Sequence, residues 1–246
     1  MVQKVWLPLA LTLLAGACLV PARAADKLSA VTPVADLVAE AESKIKDIEA
    51  LVADDASYAK AKKKGVPQAA GTLATLAQGI AQHDEDSGWK KSAADVRDAA
   101  IAIAKSASFD DAKKGLEAVK AAAGGKAGVA KVEHDWDKLI DMDSLMSEVS
   151  ARNGKFRKFF KTPKDHDAAS RDASVLAVLA LVIEADTHEV KDKADIEKWK
   201  KYSKDLQESM TKISAALKAK DEAGAKKLFV ESGKSCSGCH TDIRDK

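Results

Sequence analysis

IEKWKKYSKDLQESMTKISAALK, residues 196–218, carries an unbroken helical pattern. Its apolar residues Ile196, Trp199, Tyr202, Leu206, Met210, Ile213 and Leu217 step by 3, 3, 4, 4, 3 and 4, with charged residues between them. Such steps lay one apolar stripe along an α-helix and would scatter over both faces of a strand. On its N-terminal side, Val175 to Ile183 is almost wholly apolar and predicts a helix buried all round. Earlier still, Leu139, Met142, Met146, Val149 and Phe156 predict one face of a long helix. On the C-terminal side, a last helix is expected from about Asp221, with Leu228 and Phe229.

The first half repeats this plan. Thr32 and Pro33 open a helix carrying Val34, Leu37, Val38, Ala41, Ile45, Ile48 and Leu51, which frays into Lys60–Lys64 before Gly65 and Pro67. Further helices are expected around Leu73, Leu76 and Ile80, around Trp89, Val96 and Ile103, and from Asp110 through Leu116 and Val119. Gly124, Gly125 and Gly128 break the chain. Local likenesses join the halves: Thr72–Ala77 with Val175–Ala180, Trp89-Lys90-Lys91 with Trp199-Lys200-Lys201, and Ala112-Lys113-Lys114 with Ala225-Lys226-Lys227. No segment reads as a strand. The expectation is an all-α chain of two tandem four-helix bundles, over residues 26–123 and 137–246, with 124–136 as linker.

Residues 1–25 contain Lys4 and Arg23 but no acid, an apolar stretch from Val5 to Val20, and a small-x-small site at Ala22-Arg23-Ala24. This is the pattern of a cleaved secretory signal, so an exported, periplasmic protein is expected. No other apolar run is long enough to span a membrane. The chain has 40 basic and 38 acidic residues, and loss of Lys4 and Arg23 balances them. A near-neutral mature chain disfavours a generally basic nucleic-acid binder. The basic cluster Lys155, Arg157, Lys158, Lys161 and Lys164 reads as a solvated face or as a docking patch for an acidic redox partner.

If Cys18 leaves with the signal, only Cys236 and Cys239 remain, followed at once by His240. Two cysteines three apart do not make a disulfide scaffold. Cys236-Ser237-Gly238-Cys239-His240 is the C-x-x-C-H pattern of c-type haem attachment. Two thiols that add across two vinyl groups must stand about one helical turn apart, and the next residue offers an imidazole to the iron. A zinc site would need four ligands, and no second cysteine pair exists. A thioredoxin-like dithiol would need a βαβ context, which is absent. Neither a nucleophilic triad, nor a phosphate loop, nor a paired-carboxylate set stands out, so no enzyme activity is expected.

The motif lies at the C-terminal end of the last helix, within Asp221–Arg244. Gly233-Lys234-Ser235-Cys236-Ser237-Gly238-Cys239-His240, with Arg244 four residues on, resembles the end of cytochrome c-prime, over about residues 137–246. Ile243 stands where that family often has an aromatic residue. The resemblance implies one covalent haem c, with Cys236 and Cys239 as thioether anchors, His240 as proximal ligand, and Arg244 beside the haem. It implies a distal residue from the first helix of this bundle. A methionine there, Met146 or alternatively Met142, gives a low-spin electron carrier. An apolar residue there gives a five-coordinate haem open to small gases such as nitric oxide. A third reading makes the N-terminal unit a structural or partner-binding module. The resemblance also implies a possible homodimer through first helices, unless the N-terminal unit takes that surface.

Overall fold

A computed structural model describes residues 27–126, 128 and 133–245. The expected signal, with Cys18, and part of the expected linker lie outside the described residues. Ten α-helices follow in order: α1 Leu28–Val31, α2 Val34–Leu51, α3 Asp55–Ala61, α4 Gly65–Gln82, α5 Ala93–Ala104, α6 Phe109–Ala123, α7 Met142–Phe159, α8 His166–Ala185, α9 Ile196–Lys218 and α10 Glu222–Cys239. A π-helical turn, His240–Arg244, continues α10. The described residues contain no strand.

Half of the helix starts follow from local chemistry. Side-chain oxygens of Asp54, Ser108, Asp141, Asp165 and Asp221 accept the backbone N–H three residues on and so cap α3, α6, α7, α8 and α10. Each such cap contributes about 1 kcal/mol. Four expected boundaries shift. Pro33, not Thr32, occupies the cap position of α2. Gly65 and Pro67 lie in the first turn of α4, where an absent N–H costs nothing. Leu139 precedes α7 in a short turn and Trp89 precedes α5, although both were expected inside helices.

In the first half α2 packs on α4 and α6, α4 on α5, and α5 on α6. In the second, α7 packs on α8, α8 on α9, and α9 on α10. The apolar α8 is buried on all sides, with Val175–Ala180 and Val182 at most 1 % exposed. The halves are not separate bodies. Helix α2 packs on α8, and α4 packs on both α7 and α8, so the buried side chains of both halves form one continuous core.

A charged cluster lies inside that junction. Arg152 of α7 is fully buried. Its Nε donates to Glu148 Oε1 at 2.8 Å, and its terminal nitrogens donate to Glu40 of α2 and Asp172 of α8. Lys44 of α2 stands 3.1 Å from Glu148 Oε1, and Gln68 of α4 donates to Glu148 Oε2 at 2.8 Å. Four helices from both halves therefore meet around two buried cations and three carboxylates. Such a cluster survives burial only because every charge has partners.

The cluster predicts acid sensitivity. Burial alone would raise the Glu148 carboxyl, but Arg152, Lys44 and Gln68 outweigh it and hold it at about 2 against an ordinary 4.5. A carboxyl lowered in the folded state stabilises fully above its unfolded value. That stabilisation drains as pH falls from about 4.5 towards about 2. Urea midpoints between pH 6 and pH 2 should fall steeply in this window, and Glu148→Gln should flatten the fall.

Candidate haem-attachment site

Cys236, Cys239 and His240 come at spacings of three and one, which puts all three on one side of α10. Side chains three and four apart on a helix stand about 5–6 Å from one another at Cβ. Both thiols are free and half-buried. Burial pushes the Cys236 thiol up, and burial with neighbouring Cys236 pushes Cys239 up to about 11. Burial, then the Arg244 charge, pushes the His240 imidazole down. At neutral pH the set is two protonated thiols and one neutral imidazole. Protonated thiols can add to alkenes, and a neutral imidazole has a lone pair for a metal.

The motif is held from behind by α9. Tyr202 donates its hydroxyl to Asp242 Oδ2 at 2.7 Å, and Lys198 pairs with the same oxygen. Asp242 lies in the π-helical turn, whose closing bond runs from Asp245 N–H to His240 C=O at 2.9 Å. Turns of this kind concentrate at functional sites. Ile243 in the same turn is buried, so the expected aromatic position still serves as an apolar anchor. Gly238 permits the close approach: a Cβ there would stand 2.8 Å from the Tyr202 ring. Tyr202 was legible only as a stripe residue of α9, because its link to Asp242 spans forty residues. Arg244 is exposed and bonds Asp245 at 2.8 Å through Nε.

The opposite wall comes from α7. Phe229 of α10 stacks near Phe156 at 5.3 Å and near Phe160 at 5.5 Å between ring centroids. The two helices run antiparallel. Eleven residues after Phe229 stands His240, and eleven before Phe156 and Phe160 stand Leu145 and Val149. Met146 lies between these two, so a count of residues from the Phe229 contact pairs it with His240. Met142, Met146, Val149, Asn153, Phe156 and Phe160 recur at helical spacing, so one stripe of α7 carries them all. Met142 sits one turn farther out, lining an open cleft of about 520 Å³ with Asp186 and His188 at the head of α7. Both methionines are half-buried against the core.

Between these walls α10 is thinly covered. Of its eighteen residues only Ala225 and Ser232 are buried, while Leu228, Phe229, Cys236 and Cys239 are partly exposed. A flat apolar group laid along this side would cover them, so the donor set and its surroundings fit a porphyrin attached through both cysteines.

Residues 141–244 match the family model described as Cytochrome C'. The match starts at the cap of α7 and ends at Arg244, so it spans α7 to α10 and leaves the first half outside. No curated protein and no solved structure matches the chain. Over these residues the chain is therefore similar to the cytochrome c' family, whose members are haem-binding c-type cytochromes. Its covalent haem c would be held by Cys236 and Cys239, with His240 facing the iron. Among the described residues no group of three or more His, Cys, Asp or Glu could hold a metal ion. The other histidines are engaged elsewhere: His83 with the Thr32 carbonyl, His134 with Asp98, His166 with Glu222, His188 with Asp186.

The lysine cluster lies at the other end of this bundle. Lys155, Lys158, Lys161 and Lys164 line a groove floored by Phe156 and Phe159 at the α7–α8 turn. Lys158 is twelve residues from Met146, about 18 Å along the helix axis.

Proposed function

We propose that the chain is an exported, periplasmic monohaem cytochrome that passes electrons through a haem ligated by His240 and Met146. The observation that carries this reading is the contact of Phe229 with Phe156 and Phe160, from which a residue count along α7 and α10 supports Met146 as the partner of His240. When bound, the haem supplies a one-electron iron centre. Cys236 and Cys239 anchor it, His240 holds its proximal side, and the Met146 thioether closes the distal side and raises the potential. Redox proteins are the expected partners. No described helix is long and apolar enough to cross a membrane. A homodimer through first helices is not proposed, because α2 and α4 already cover α7 and α8.

The test is the optical spectrum of the reduced protein with and without carbon monoxide. The wild type should be low-spin and unresponsive. Met146→Ala should lose the methionine–iron charge-transfer band, become high-spin and bind carbon monoxide. Met142→Ala should change packing alone. Reversed phenotypes would move the ligand to Met142. A wild type that is already high-spin and takes up carbon monoxide would support the gas-binding reading instead.

A further inference from the structure

Helix α7 has two working faces. One stripe runs from Met142 to Phe160 and meets α10 where Phe156 and Phe160 touch Phe229. The other side carries Leu145, Glu148 and Arg152 into the first half of the chain. Within its own half α7 leans on α8 and meets α10 through Phe229. What sets its position elsewhere is the first half, at two points. At the start of α7, Gly71 of α4 lies so close to Ile140 that a Cβ would stand 2.6 Å from Ile140 Cγ1 and 2.8 Å from its Cβ. In the middle of α7, Glu40, Lys44 and Gln68 grip Arg152 and Glu148. Met146 lies midway, six residues after Ile140 and six before Arg152.

We infer that the haem-free N-terminal half is a brace, which holds α7 and thereby fixes the distal face of the haem site against α10. Gly71 and Glu40 are then positioning residues for a distal face they do not touch. This rests on the haem reading above. The physical reason is leverage on a short span. A methyl on Gly71 would strike the Cβ of Ile140, which is not a flexible tip and cannot yield without moving the backbone that begins α7. Glu40→Gln leaves the shape of the junction but removes one charge from the Arg152 cluster.

The experiment compares holoprotein variants by covalent haem content, melting temperature, spin state and the rate of imidazole association with the oxidised form. Gly71→Ala and Glu40→Gln should keep their covalent haem and change the association rate by about threefold or more, within the range of coupling through packed networks. Gly71→Ala with Ile140→Gly, which removes both the Cβ and the Cγ1 that obstruct the methyl, should restore the wild-type rate. Ile103→Ala, a cavity in the first half far from α7, should lower the melting temperature and leave rate and spin state unchanged. If the Gly71 variant does not fold, Glu40→Gln carries the test alone. Rates unchanged in the junction variants, or moved equally by Ile103→Ala, would overturn the brace. A wild type without covalent haem would overturn the haem reading instead.

Discussion

Replacing Cys236 and Cys239 together by alanine is expected to yield a chain with no covalently held haem. Both thioether bonds depend on these two thiols, which are the only free cysteines among the described residues. Acid-acetone extraction should strip all haem from the double variant and none from the wild type. The variant should nevertheless stay helical. Helix α10 contributes only Ala225 and Ser232 to the buried interior, and the core of α2, α4, α5, α7, α8 and α9 does not pass through the motif. Far-ultraviolet circular dichroism should therefore keep most of its intensity. The melting temperature should fall, because a group bound only by the folded state stabilises it. Covalent haem in the double variant would disprove the attachment site.

Arg152→Met is expected to cost about 3–5 kcal/mol of stability, the usual penalty for removing one partner of a buried charge cluster. Methionine fits the volume but leaves Glu40, Glu148 and Asp172 facing one another, with Lys44 and the exposed Lys155 as remaining cations. Urea denaturation at pH 7 should show the loss. Part of it should return at lower pH, where the stranded carboxylates can take up protons. Attachment of haem should survive, since α10 carries that chemistry by itself. A loss under about 1 kcal/mol would mean that the junction is held by apolar packing and that the cluster contributes little.

The sequence by itself determined the helices, their order and the attachment motif. Periodicity is a property of neighbouring residues, so the Ile196–Leu217 stripe and the all-apolar Val175–Ile183 run could be read without a fold. The same holds for Cys236, Cys239 and His240, whose C-x-x-C-H pattern lies within about one turn. Helix boundaries at Gly65, Trp89 and Leu139 were misread because a breaker or an apolar residue near an end does not say on which side the helix lies. Only the tertiary structure decided how the halves meet. Composition gave two runs of helices with a glycine-rich break, and nothing in either run marked Arg152 as buried. Among lysines and arginines on polar helices it looks like a surface residue. Its burial depends on Glu40, more than one hundred residues away, and on Asp172 in a different helix. The approach of Gly71 to Ile140 and of Gly238 to Tyr202 is equally invisible from local sequence, because a small residue reports only that something stands close. Met146 and Met142 share one stripe by phase, and the contact of Phe229 with Phe156 and Phe160, which supports Met146 in the proposed reading, is likewise a tertiary one.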